Sequence, residues 1–379
     1  MSQVQAFTAR TPEGGLEGTL HNNLAFWALC AFVLLVPIPF ASSQAYFWGV
    51  AAIYIGITTV IYAAFLFQAG ARLRFSAKRI WLSSAAFFVF CLALVIQLIP
   101  FGTVGIVTTP DLTLEGIRLS IAPGMTWLML MRQAMYGIFF FLMLQVLTND
   151  HRRVVFLNIL IFGIAAYAAY ALVSLRAGDT ILGLPKWAYL GVATGTFVNR
   201  NSFATFIAIG AAVATVRIGS IIVARSRHNP DDGSPHGTLG SLLLLLLALV
   251  AIVLALFETE SRMGIAAAAA GCAIGTLLIL TRAGNKRPIL AVALVIPILG
   301  ILGFWLFGER LFDRLVTVDG AAESRMSVYA QILELIAMRP LTGFGGGSFE
   351  LAFPLVQHAP VDTFFTWDRG HNTYLTLWS

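Results

Sequence analysis

His371 and Asn372 lie where a long polar segment meets a final apolar run, and an imidazole there suits proton transfer near neutral pH. The bland alternative is an interfacial polar pair that anchors a helix end. Arg200 sits in Phe197-Val198-Asn199-Arg200-Asn201 and Arg262 in Glu260-Ser261-Arg262. Arg325 follows Ser324 near the start of a helical stretch. Arginine forks hold phosphate oxygens in pairs, so three of them brought together would suit a pyrophosphate. Taken singly, each is as readily explained by pairing with a carboxylate such as Glu260 or Glu323, or by reaching lipid headgroups. Together with His371 they favour a functional reading. The segment Arg339-Pro340-Leu341-Thr342-Gly343-Phe344-Gly345-Gly346-Gly347-Ser348-Phe349 adds a glycine-rich turn after a proline. Such a turn can present N–H groups to phosphate, but it is more often only a helix stop.

These residues need a scaffold, and composition restricts it. The chain has 379 residues, of which 58% are hydrophobic and 11% charged, about half the charged fraction of an ordinary soluble domain. That leaves too little polar surface for a water-soluble globule, and a lipid-facing exterior resolves the mismatch. The expected architecture is an all-α polytopic membrane bundle. Apolar runs able to span a bilayer fall at 24–40, 45–67, 80–99, 133–148, 154–175, 202–224, 240–258, 263–281 and 289–307, with a further one starting near His371. The domain reading follows: helices over 1–307, a polar loop over 308–370, and the start of another helix over 371–379. The first run carries no cleavage pattern and reads as a retained helix. From Ala321 to Met338 the loop has helical periodicity, with Met326, Tyr329, Ile332, Leu333 and Ile336 on one stripe.

With the N-terminus in the cytoplasm, the basic loops at 68–79, 152–153, 225–227 and 282–287 all fall inside, as the positive-inside bias demands. The opposite face then receives 100–132, 176–201, the link 259–262 and the long loop. It is nevertheless rich in arginine, including Arg118, Arg132, Arg176 and Arg369, which points to an anionic ligand there. The net charge of +6 has no soluble basic module behind it, so nucleic acid is not an expected partner. The three cysteines, Cys30, Cys91 and Cys272, sit inside apolar runs as packing residues. His228 and His236 are too loosely set for a metal site, and no acidic cluster suited to a divalent ion faces the outer side.

In order and placement, Phe197 to Ala204, Ser261-Arg262-Met263-Gly264, Ser324-Arg325, Arg339 to Phe349 and His371-Asn372 resemble the O-antigen ligase and polymerase family of bacterial membrane enzymes. The resemblance implies a GT-C-like helix bundle in the inner membrane with its active site on the periplasmic face. It implies a donor glycan on undecaprenyl pyrophosphate and, for a ligase, a lipid A core acceptor. A polymerase would transfer to a nascent lipid-linked glycan instead. His371 takes the role of catalytic base, and Arg200, Arg262 and Arg325 that of donor-pyrophosphate ligands. Asn199, Asn201, Arg339, Gly343, Gly345 and Asn372 are supporting residues, and neither metal nor other cofactor is implied. The family continues beyond its His-Asn segment, so this chain, ending at Ser379, reads as a fragment or a shortened product. Two readings from other classes are a polysaccharide transporter or flippase and a non-catalytic envelope scaffold. The first would show paired broken helices in matching halves, which the sequence lacks.

Overall fold

The structure is a computed structural model and describes residues 16–108, 113–227, 239–282, 318–364 and 366–379. The expected span at 289–307 and both loop histidines, His228 and His236, lie outside the described residues. Helices dominate: α1 (Leu16–Leu35), α2 (Ala45–Gln68), α3 (Trp81–Leu98), α4 (Pro123–Val146), α5 (Asp150–Arg176), α6 (Arg200–Arg227), α7 (Leu239–Glu258), α8 (Arg262–Arg282), α9 (Val318–Met338), α10 (Phe349–Ala352) and α11 (Thr373–Trp378). A β-hairpin of β1 (Pro100–Thr108) and β2 (Thr113–Arg118) and a two-residue pair, β3 (Thr180–Ile181) and β4 (Leu184–Pro185), are the sheet structure among the described residues.

Helices α2 to α8 are long and apolar enough to cross a membrane, and the shorter α1 contributes an apolar helix over Leu20–Leu35. On α2, Val50, Ile53, Ile57 and Val60 are each more than half exposed, an apolar stripe that suits lipid and not water. The chain is a multi-pass membrane protein of all-α type.

Three features differ from the sequence expectation, the first being α1, which spans Leu16–Leu35 and not 24–40. Helix α4 begins at Pro123 and not near 133. Proline supplies the helical φ at the first position and has no N–H to leave unsatisfied. Arg132 interrupts the apolar run but not the helix, because its guanidinium stacks on the Trp48 ring at 4.2 Å. Arg132 therefore belongs to the helix and not to the segment before it. The buried stripe of α9 also differs. Val328, Ile332, Leu335 and Ile336 face inward, whereas Met326 and Leu333 are 66% and 51% exposed. Phe349, Phe353 and Val361 pack on that inner face and select it.

The chain divides into two compact units, one of 1–28, 44–148 and 317–379, the other of 29–43 and 149–316. In the second unit α5, α6, α7 and α8 pack about a core of small and branched residues that includes Ala168, Ala204, Ala211, Ala214 and Ile252. Helices α6 and α8 make its closest contact. A Cβ at Gly264 would lie 2.4 Å from Ala204 Cβ, one at Gly271 3.0 Å from Ala212 Cβ, and one at Gly275 2.6 Å from Val216 Cγ2. Small residues at this spacing let two backbones approach inside a bilayer, where packing replaces the hydrophobic effect as the driving force. Thr215 adds a hydroxyl–thiol contact to Cys272 at 3.3 Å.

In the first unit α4 packs on α2 and α3, and the glycine-rich segment closes over the end of α3. Gln97 is the clamp. Its Nε2 donates to Thr342 O at 2.9 Å, its Oε1 accepts from Gly346 N at 3.0 Å, and its own carbonyl accepts from Ser120 N at 3.1 Å. Gly345 takes φ +111°, and a Cβ there would lie 2.3 Å from Ser120 Oγ, so both backbone and space require glycine.

Gly264→Ala is expected to lower stability by about 1–3 kcal/mol through overpacking. Ala204→Gly in the same chain should restore most of it, as read from thermal midpoints in detergent. Gln97→Leu should increase hydrogen exchange at Gly346 by about tenfold or more, since a bound polar pair is lost without a replacement.

Candidate active site

One end of the second unit gathers the C-termini of α5 and α7 and the N-termini of α6 and α8. Helix α6 starts here because Asn199 caps it: its Oδ1 accepts from Asn201 N at 2.8 Å and from Ser202 N at 3.3 Å. Helix α8 starts here because Ser261 does the same for Gly264 N at 3.2 Å. Ser261 Oγ also donates to Asn201 Oδ1 at 2.9 Å and so ties the two starts together. Arg200 and Arg262 are the residues flanking that bond. Each arginine thus sits at a helix N-terminus, an end whose backbone dipole favours an anion.

Arg262 is exposed, whereas Arg200 is largely enclosed. Arg200 Nη1 lies 3.6 Å from Glu260 Oε2, and the guanidinium lies 5.7 Å from the centroid of the Tyr189 ring. Tyr189 OH accepts from Asn199 Nδ2 at 3.2 Å. The segment that delivers Tyr189 is itself knit tightly. Lys186 pairs with Asp179 and donates to Val192 O at 2.7 Å, and Gly191 N donates to Asp179 Oδ2 at 2.7 Å. Beside it Arg176 pairs with Glu258, whose side chain is 4% exposed. The pairing with a carboxylate that sequence alone left open for Arg200 is therefore present, with Glu260 as the partner.

The remaining candidates belong to the first unit. His371 is exposed and has φ +52°, a left-handed conformation that costs a non-glycine residue about 1–2 kcal/mol. Its ring meets Trp367 edge-on at 5.8 Å, and its carbonyl accepts from Tyr329 OH at 3.3 Å. Among the described residues its ring nitrogens have no hydrogen-bond partner, which leaves them available to solvent or substrate. Asn372 caps α11 by accepting from Tyr374 N at 3.0 Å and Leu375 N at 3.3 Å. Arg325 is exposed on α9, four residues before Tyr329 and so about one turn from the contact with His371.

Arg339 donates to Leu119 O at 2.8 Å and lies 5.4 Å from the Phe344 ring centroid, and burial lowers its pKa from the ordinary value. Arg118 similarly donates to Leu98 O at 3.0 Å. In the glycine segment Gly343 N donates to Arg339 O, Phe344 N to Ser379 O, Gly346 N to Gln97 Oε1 and Ser348 N to Gly345 O. Those amides are engaged within the protein, so here the segment acts as a packed turn. Two contributors were not singled out from the sequence. Gln97 had a visible signal, a polar residue at the end of an apolar run. Tyr189 had none, because left-handed turns at Asp179, Leu182 and Tyr189 bring it back to Arg200.

A family model described as O-antigen ligase matches residues 246–379. The match takes in Arg262, Arg325, Arg339, Gly343, Gly345, His371 and Asn372, while Asn199, Arg200 and Asn201 precede it. Among curated proteins and solved structures no match is found. The chain is thus a multi-pass membrane protein whose residues 246–379 match the O-antigen ligase family.

Proposed function

We propose that the chain is an O-antigen ligase-type glycosyltransferase of the bacterial inner membrane, acting on the periplasmic face. It moves a glycan from undecaprenyl pyrophosphate to a lipid A core acceptor. The observation that supports this most directly is the state of His371: an exposed imidazole with no ring hydrogen bond among the described residues, about one turn of α9 from Arg325. A base and a phosphate ligand at one end of a helix are what such a transfer needs.

In this reading an acceptor hydroxyl attacks the anomeric carbon of the donor sugar. His371 takes the hydroxyl proton as the new glycosidic bond forms. The bond from the anomeric carbon to the phosphate oxygen breaks, and the carrier pyrophosphate leaves with that electron pair. Arg200, Arg262 and Arg325 hold the pyrophosphate and stabilise its growing charge. Asn199 and Asn201 fix the helix ends that carry the first two arginines. Asn372 caps the helix after His371, and Arg339, Gly343 and Gly345 shape the packed turn.

His371→Ala, inserted and folded normally, is expected to lower glycan transfer by about a hundredfold or more. Undiminished transfer in a reconstituted assay would overturn the role. Arg262→Lys keeps the charge but loses the fork, so donor use should fall by about tenfold or more. In a deletion strain, lipid A core without polymer beside polymer left on the carrier supports the ligase reading. A single repeat unit capping the core would instead assign a polymerase.

A further inference from the structure

The connection between α5 and α6 is built inside out for a segment in water. Lys186 and Asp179 turn inward: the Lys186 side chain is 2% exposed, pairs with Asp179 and donates to Val192 O at 2.7 Å. Leu184, Trp187 and Leu190 turn outward, and each is more than half exposed. A loop bathed by water would show the opposite arrangement. The backbone is also satisfied from within. Ile181 and Leu184 pair across β3 and β4, Asp179 N donates to Ser174 O at 2.9 Å, and Gly191 N donates to Asp179 Oδ2 at 2.7 Å. Leu182 N donates to Tyr170 Oη at 2.7 Å. Tyr170 stands six residues before the end of α5, about 9 Å along the helix. The β3–β4 turn is therefore bound back against α5 instead of rising from its end. Val173, between Tyr170 and that end, is 66% exposed, so the outward apolar surface of the helix reaches the level of the turn. Trp187 extends the surface further, its ring 5.8 Å from that of Phe40 in the connection after α1.

We propose that this connection is an interfacial lipid-docking element: Leu184, Trp187 and Leu190 enter the acyl-chain boundary of the surrounding phospholipid bilayer. This placement goes beyond the reaction proposed above and does not depend on it. The segment joins two helices that are long and apolar enough to cross a membrane, and its exposed face continues the apolar surface of the first of them. Irregular backbone is tolerated against lipid only where its polar groups find partners inside the protein, as those of Asp179, Leu182 and Gly191 do. Tryptophan and leucine side chains are suited to the boundary between headgroups and acyl chains. The consequence is positional. Tyr189 lies between Trp187 and Leu190 in the chain, so its contact with Arg200 is held at the level of the lipid headgroups.

The test is site-directed fluorescence quenching with the full chain reconstituted in phospholipid vesicles. In a background with Cys30, Cys91 and Cys272 each replaced by alanine, the single variants Leu184→Cys, Trp187→Cys and Leu190→Cys are labelled with bimane. Val60→Cys, exposed on α2, serves as the lipid reference, and Asp150→Cys, exposed at the start of α5, as the water reference. Quenching by brominated phosphatidylcholine is divided by quenching by iodide present on both sides of the vesicles. At the outward positions this ratio should fall nearer to the Val60 reference, about tenfold or more above the Asp150 reference. Ratios nearer to the Asp150 reference would place the connection in water and overturn the proposal. Weak quenching by both agents would mean that protein covers the face, either a further part of this chain or a second copy, and would overturn it equally. Should one labelled variant fail to incorporate into vesicles, the other positions decide.

Discussion

The closeness of α6 and α8 governs what the second unit can offer chemically. Glycines on α8 meet alanines and a valine on α6 with no room for another methyl group at the first contact. In a bilayer this contact is held by dispersion and geometry, not by exclusion of water. Its consequence is local and specific: the starts of both helices are brought near enough for Ser261 to reach Asn201. A wider separation would break that bond and move apart the residues on either side of it. Positive charge at this end is therefore a product of packing along the whole helix pair.

The first unit solves a different problem. Its glycine-rich segment has to cross the end of α3 without stranding backbone donors in a poorly solvated place. It does so by donating to Gln97, to Arg339 and to the carbonyl of Ser379. A sequence with this many glycines invites comparison with phosphate-binding loops, yet the amides of Gly343, Phe344, Gly346 and Ser348 face carbonyl and amide oxygens of the protein. Glycine is needed at Gly345 for close approach to Ser120, which is a packing requirement. Arginine side chains, which keep their charge even when partly desolvated, are left as the groups suited to an anion.

Much of this was legible in the sequence because hydropathy and capping are local signals. The apolar runs marked α2, α3 and α5 to α8 within a few residues, and the Asn199 and Ser261 motifs sit where two of those helices begin. Nonlocal partners decided the rest. Arg132 stood just before the apolar run 133–148 in sequence, but Trp48, on another helix, allows α4 to begin earlier and run through it. Periodicity on α9 permitted more than one inward face, and only Phe349, Phe353 and Val361 choose between them. The return of Tyr189 to Arg200 depends on left-handed bends that include Asp179, Leu182 and Tyr189, and on a buried lysine, none of which leaves a periodic trace.

The clamp on Gln97 also has a consequence for biogenesis. Gln97 and Gly346 are separated by 249 positions, so their bond closes one of the longest circuits in the described chain. During synthesis α3 and α4 enter the membrane long before the glycine turn leaves the ribosome. The end of α3 must wait with its amide groups directed at water or lipid headgroups until that late arrival. Contacts of such high order form slowly, because loop-closure entropy has to be overcome first. The turn beside Ser120 is accordingly among the last features of the molecule to mature, and a nascent polypeptide inserted up to α8 does not yet possess it.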